Sequence, residues 1–107
     1  MEDLEISPRS VAQVILMSRE MRRAEPELRA FIERMDTQKQ AELVALMWIG
    51  RGAFEPEDLQ EAVAHAQNEA TTPCADYLIG TPHLSDHLES ALEAFGLDVT
   101  DIEDALM

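Results

Sequence analysis

The 107-residue sequence has little cysteine, few basic residues and no long apolar stretch. Cys74 is the only cysteine, so no disulfide can form within the chain, which is typical of proteins of the reducing cytoplasm. The longest uninterrupted apolar run covers the seven residues 43–49, whereas a membrane span needs about 20. No basic segment followed by an apolar run opens the sequence, so we expect no secretory signal and predict a cytoplasmic location.

Charge of one sign dominates. Eight Lys and Arg stand against 22 Asp and Glu, a formal net charge of −14. Such a surface repels phosphate backbones and anionic lipid headgroups, so we predict neither nucleic-acid nor membrane binding. Residues 1–51 contain eight basic and nine acidic residues. Residues 52–107 contain no Lys or Arg and 13 acidic residues. Three interpretations stay open: the halves pack with arginines facing acids, the acids are an adaptation to salt, or they attract a basic partner.

The apolar residues recur with helical spacing, and helix start signals divide the chain. Ser7 before Pro8 predicts the N-cap of a first helix that runs to about residue 23. Pro26 predicts the start of a short second helix with an i, i+3, i+4, i+7 apolar stripe. No alternation of the kind found in strands extends beyond three or four residues. The pattern indicates an all-α protein.

A third helix is expected at the centre of the fold. Thr37 and Gln40 are spaced as a capping box, with Thr37 as the N-cap. The run 43–49 that follows is apolar on nearly every face, which is typical of a helix surrounded by its neighbours. We expect Gly50 to end this helix in the left-handed conformation.

The second half reads as further short helices. Residues 55–58 predict a helix start with carboxylates at the positive end of the helix dipole, and this helix is expected to reach about residue 70. A helix opened by Thr72 and Pro73 should end at Gly80, and one opened by Thr81 and Pro82 should end at Gly96. Residues 98–107 fit either a last short helix or a mobile tail.

Two motifs carry a family resemblance. LMWIGRG at residues 46–52 and YLIGTP at residues 77–82 are separated by an acid-rich segment that begins FEPE at residue 54. Over about residues 42–95 the sequence resembles a family of small bacterial domains of unknown function. The resemblance implies a cytoplasmic bacterial helical protein, and it brings no catalytic residue and no cofactor.

Metal ligation and nucleophilic catalysis are weakly indicated. His83 and His87 lie four residues apart on one predicted helix, the spacing of two metal ligands, and His65 and Cys74 could complete a set. Leu84, however, stands where the zinc-protease motif needs glutamate. Partly buried, hydrogen-bonded histidines and an incidental cysteine are the favoured interpretation. We therefore predict no metal, no cofactor and no catalytic residue.

Arg51 is the most informative polar residue. We expect the turn at Gly50 to direct it outward, where it forms an ion pair with Glu55, Asp58 or Asp76. The alternative is an anchor for a carboxylate or phosphate ligand, because the guanidinium offers a planar bidentate fork. The glycines beside it match no phosphate-binding loop.

These observations predict a single helical domain over residues 1–107, a compact orthogonal-type bundle of about six short helices around a central apolar helix. Trp48 and Tyr77 are expected in the core with satisfied polar tips. We predict a protein-interaction or self-association module, a homodimer among the expected assemblies. The alternative is a small-ligand or metal-binding protein or an enzyme. The candidate binding surface comprises Arg51, Tyr77, His83 and His87.

Overall fold

The structure, a computed structural model, describes residues 3–69 and 72–106. In these two ranges the chain forms helices and no strand, which confirms the all-α prediction. One turn of 3-10 helix, Pro56–Asp58, precedes the fourth α-helix. The α-helices of the described residues are α1 (Pro8–Arg19), α2 (Met21–Glu33), α3 (Thr37–Arg51), α4 (Leu59–Asn68), α5 (Cys74–Ile79), α6 (Leu84–Ala94) and α7 (Val99–Leu106).

Helix α3 lies at the centre, as its composition predicts. Every residue from 41 to 49 is buried, and α3 has its most extensive contacts with α6 and α4. Burial on all sides removes the apolar side chains of this run from water, which is the main favourable term in folding. Helices α4, α5 and α6 pack directly on this central helix, whereas α1 packs mainly against α2, α6 and α7. No helix within the described ranges is long and apolar enough to cross a membrane.

The first two helices divide at a different point from the one predicted. Ser7 is the N-cap of α1 as expected, and its Oγ accepts a hydrogen bond from the backbone N–H of Ser10 at 3.1 Å. However, α1 ends at Arg19 rather than near residue 23, because Glu20 leaves the helical conformation. Helix α2 then begins before Pro26 and contains it. An interior proline is tolerated there because the carbonyl it leaves unpaired belongs to an exposed first turn.

The two ends of α3 also differ from the prediction. Its N-cap is Asp36, not Thr37, and a carboxylate oxygen of Asp36 accepts from the backbone N–H of Lys39 at 2.8 Å. A carboxylate is an equally good capping acceptor, and here it stands one residue earlier. Its C-cap is Gly52, with φ of 89°, whereas Gly50 is still helical. Glycine is suited to Gly52 because this left-handed conformation strains other residues.

Gly50 has a different role, the close approach of two helices. A Cβ placed on Gly50 would lie 1.6 Å from the backbone carbonyl oxygen of His87 in α6. Two non-bonded heavy atoms cannot approach so closely, so only glycine lets α3 and α6 cross here. This contact sets the position of α6 against the central helix.

Helices α4 to α6 begin later than predicted. Helix α4 starts after the 3-10 turn and ends at Asn68, and the predicted end at residue 70 lies outside the described residues. Helix α5 ends before Gly80 as expected. The N-cap of α6 is His83, with a left-handed φ of 58°, so Thr81 and Pro82 precede the helix instead of opening it. The inner faces of α4 and α6 follow the helical spacing of their apolar residues, and their buried residues are Leu59, Ala62, Val63, Ala66, Leu84, Leu88, Ala91 and Leu92.

The last segment is a helix, and of the two alternatives for residues 98–107 the helical one is confirmed as far as residue 106. Val99 is buried, and α7 packs against α1. Arg19 on α1 pairs with Glu89 of α6 and with Glu103 of α7. Arg29 on α2 pairs with Asp76 of α5. These pairs support the interpretation that arginines of the first half face acids of the second.

Candidate functional site

A cleft of about 810 Å³ lies between α3, the end of α4 and the start of α5. We call it the Trp48 cleft. Its apolar lining comes from Ala41, Val44 and Trp48 on α3 and from Ala66 on α4. Helical periodicity explains this lining, because residues 41, 44 and 48 lie on one face of α3 and face the neighbouring helix. The volume is within the usual range for ligand sites.

Two aromatic residues of the cleft lining, Trp48 and Tyr77, are joined by a hydrogen bond. The indole nitrogen of Trp48 donates a hydrogen bond to the hydroxyl oxygen of Tyr77 at 2.9 Å. Trp48 is 9% exposed, as predicted for a core residue with a satisfied polar tip. The prediction that Tyr77 also lies in the core is wrong: it is 36% exposed and is the large hydrophobic side chain that reaches the surface of the described residues. Its hydroxyl proton is left for a further acceptor, since the oxygen already accepts from the indole.

The rings of Phe54 and His65 also pack against Trp48. The ring of Phe54 stacks on Trp48 with centroids 5.8 Å apart, and the imidazole of His65 meets both rings at 5.7 and 6.5 Å. Offset and edge-to-face arrangements of this kind are the favoured geometries of aromatic pairs. The cluster fixes the orientation of the indole that lines the cleft.

Polar side chains lie around the apolar lining. The amide nitrogen of Gln40 donates to the carbonyl of Ile32 at 2.9 Å, and that of Gln67 donates to the side-chain oxygen of Gln38 at 2.6 Å. Glu69, at the end of α4, is the charged residue of the lining, with one carboxylate oxygen 3.5 Å from Nδ1 of His65. The cleft therefore combines an apolar floor with amide and carboxylate oxygens.

Cys74 lies in the lining but is not activated. Burial raises the pKa of its thiol to about 11, because a thiolate loses its hydration there. Its Sγ is 3.8 Å from the backbone carbonyl of Gln40, an acceptor that favours the neutral thiol. The interpretation of Cys74 as an inert cysteine agrees with this environment.

We expect Cys74 to react slowly with iodoacetamide at pH 7.5. A pKa of about 11 instead of the ordinary value near 8.5 lowers the thiolate fraction by roughly two orders of magnitude. The reaction of the folded protein should therefore be about 100-fold slower than that of free cysteine, and the unfolded protein should recover the ordinary rate. A folded rate equal to that of free cysteine would contradict this environment.

The histidines do not assemble a metal site in the part of the chain that the structure describes. No group of three or more His, Cys, Asp or Glu side chains there is placed to hold a metal ion. The prediction of a partly buried histidine is wrong for His83, whose side chain is 76% exposed and whose Nδ1 lies 3.8 Å from a carboxylate oxygen of Asp86. His65 is on α4 in the aromatic cluster, apart from the pair on α6.

The four residues of the candidate binding surface do not form one site. Tyr77 lines the Trp48 cleft, whereas Arg51, His83 and His87 are not part of its lining. Trp48 and Gly50 are two residues apart, about 200° around the helix axis, so Tyr77 and His87 contact α3 from different sides. A shared site for all four is not what this geometry forms.

Arg51 does not make the predicted ion pair. It is the last residue of α3 and is exposed, and it forms no salt bridge with Glu55, Asp58 or Asp76, all of which the structure describes. Asp76 is instead paired with Arg29. The expectation depended on a left-handed Gly50, whereas the helix continues through Gly50 and Arg51 to its left-handed C-cap at Gly52.

Sequence reasoning missed Glu42, the buried charged residue of α3. It is 1% exposed, and its carboxylate accepts from the backbone N–H groups of Glu5 (3.0 Å) and Ile6 (2.8 Å) and from the amide of Gln38 (3.0 Å). A lone acid beside a run that is apolar on every face was the available signal, because such a residue must be buried with partners. Its hydrogen bonds are internal, so its role is structural.

A family model described as a protein of unknown function, DUF3775, matches residues 25–97, which span α3 to α6, all of α2 except its first turn, and the whole Trp48 cleft. No curated protein and no solved structure matches the chain. The match agrees with the resemblance to small domains of unknown function. The chain belongs to the DUF3775 family.

Proposed function

We propose that this domain is a binding module that holds a short segment of a partner protein in the Trp48 cleft. The observation that carries the proposal is the cleft itself: about 810 Å³ of concave surface with an apolar floor, next to the exposed ring of Tyr77. Apolar clefts with a few placed polar groups are the usual form of a binding site.

The chemistry of the lining favours binding over catalysis. The thiol of Cys74 in the lining has a raised pKa. Glu69 contributes a carboxylate to the lining, and no second carboxylate stands beside it among the lining residues. A nucleophile with an adjacent base, or two carboxylates with different environments, is the usual arrangement in covalent and acid–base catalysis. The lining residues provide neither arrangement.

A peptide segment fits the polar groups of the cleft. Amides and hydroxyls from Thr37, Gln40, Gln67 and Thr72 alternate with the apolar lining. Such groups can pair with the N–H and C=O groups of a bound backbone, while the floor accepts an apolar side chain.

Self-association through an apolar face is a second prediction, and the described surface gives it less support. Among the described residues, Tyr77 is the one large hydrophobic residue with more than a third of its surface exposed. A stable homodimer usually buries a larger apolar area than one ring supplies. We therefore place recognition in the cleft, and a mass measurement by light scattering tests the dimer separately.

Selection from a phage-displayed library of random dodecapeptides tests the proposal without assuming a partner. We expect enriched peptides to shift the indole N–H resonance of Trp48, which is a single signal because the chain has one tryptophan. Thr37→Phe, which adds bulk at an exposed cleft residue, should weaken these peptides about tenfold or more.

Ser90→Phe is the matched control, since Ser90 is equally a surface position but lies on α6 outside the cleft. It should leave peptide binding unchanged. Failure to enrich any peptide, or enriched peptides that bind both variants like the wild type and leave the indole signal in place, would refute the proposal.

A further inference from the structure

We infer that the segment held in the Trp48 cleft is basic, and that it inserts a lysine or arginine side chain whose cationic group lies at Glu69. This inference rests on the proposed function, and it adds the chemical class of the partner. Three independent features of the cleft carry it: its free hydrogen-bonding atoms, its charge and its aromatic residues.

The first feature is an excess of acceptor oxygens. The amide nitrogens of Gln40 and Gln67 each donate to an oxygen of the protein. In both side chains the amide oxygen is therefore the end that has no partner among the described residues. Glu69 adds two carboxylate oxygens, of which one faces His65. The hydroxyls of the lining can both donate and accept, whereas these amide and carboxylate oxygens only accept, and lysine and arginine are the side chains that bring several N–H donors to such oxygens.

The second feature is charge. Glu69 is the one charged residue in the lining that the structure describes, so the cleft contains a carboxylate and no cation. Arg29 of α2 is paired with Asp76 of α5. The whole chain carries a formal net charge of −14, a field that attracts a basic segment and repels an acidic one.

The third feature is the shape and chemistry of the floor. Val44, Ala66 and Trp48 offer an apolar path that can receive the methylene stem of a long basic side chain. Tyr77 and Trp48 place aromatic rings in the same cleft, and ring faces attract ammonium and guanidinium groups. A long side chain with an apolar stem and a cationic end satisfies both parts of the lining.

Three acetylated, amidated nonapeptides that share one alanine–glycine frame test the inference. They carry, at the same two positions, lysine, norleucine or glutamate, so that norleucine keeps the stem and removes the ammonium group. We expect the lysine peptide to bind about tenfold more tightly than the norleucine peptide, measured by titration calorimetry and by the Trp48 indole resonance. The glutamate peptide should not bind detectably.

Glu69→Gln locates the cation, because it removes one charge at an exposed side chain and leaves the cleft its size. We expect it to weaken the lysine peptide about fivefold and to leave the norleucine peptide unchanged. Glu61→Gln is the matched control: it removes the same charge from an exposed position of α4 outside the lining. It should change neither affinity.

The outcomes separate the inference from the proposed function. If the lysine and norleucine peptides bind equally and both shift the indole resonance, the cleft binds segments without choosing a cation, and the inference alone is overturned. An equal loss in Glu69→Gln and Glu61→Gln would reduce the effect to general charge and would also overturn it. If no peptide here or in the library selection engages the cleft, both the inference and the proposed function fail.

Discussion

Replacing Gly50 with alanine is expected to destabilise the domain by about 3 kcal/mol or more, a large part of the ~5–15 kcal/mol typical of a folded domain. The new Cβ would lie 1.6 Å from the carbonyl oxygen of His87, so α3 and α6 must separate. The atom met is backbone, which cannot rotate away as a flexible side chain would. Denaturation by urea, followed by circular dichroism, measures the loss.

The sign of this effect is informative, because helix propensity alone predicts the opposite. In the interior of a helix, alanine is more stable than glycine by about 0.5–1 kcal/mol. Gly52→Ala is the matched control: its Cβ would meet nothing within 4 Å, and only the φ of 89° opposes it. We expect Gly52→Ala to cost about 1 kcal/mol. A Gly50→Ala protein as stable as the wild type would show that the two helices do not touch at this point.

Glu42→Ala should lower the free energy of unfolding by about 3 kcal/mol, since two backbone N–H groups and one amide lose a charged acceptor. The N–H of Ile6 is buried, and alanine brings no oxygen to replace the carboxylate. Because the carboxylate holds the N–H groups of Glu5 and Ile6, we expect the segment before α1 to detach in this variant and to take Ile6 out of the core. Denaturant titration gives the energy, and hydrogen exchange of the Ile6 amide reports the detachment.

Gln38→Ala provides the comparison, because it removes one of the three donors and leaves the carboxylate with both backbone partners. We expect it to cost about 1 kcal/mol and to leave the Ile6 amide protected. Equal losses in the two variants, or an Ile6 amide that stays protected in Glu42→Ala, would mean that the carboxylate does not hold the first residues.

The central helix and the inner faces of its neighbours could be predicted because their signals are local. A run that is apolar on all sides is buried whichever neighbours cover it, and residues 43–49 are. Helix ends were less certain: Asp36 and Thr37 are adjacent capping residues, and spacing to Gln40 favoured the wrong one. Proline is common in the first turn of a helix, so Pro26 predicts a helix start, yet α2 begins at Met21 and includes Pro26.

Much of the site depends on contacts between residues distant in sequence. Gly50 and Gly52 look alike in sequence, and only the position of α6 shows that one permits a helix crossing and the other a left-handed turn. The cleft is formed from three helices, so Gln40, Gln67 and Glu69 give no periodic signal of a common site. Tyr77 was identified because a sole tyrosine is conspicuous, whereas its hydrogen bond to Trp48 could not be inferred.

The contiguous hydrophobic core extends past both limits of the family match. Val11, Val14 and Ile15 before residue 25, and Val99 after residue 97, belong to the same buried cluster as α3 and α6. A fragment cut at the match boundaries would therefore turn the side of α6 that α1 covers toward water. Fragments made for crystallisation or binding experiments should keep both α1 and α7. Without them, the fragment exposes an apolar surface that is buried in the intact chain and that promotes aggregation.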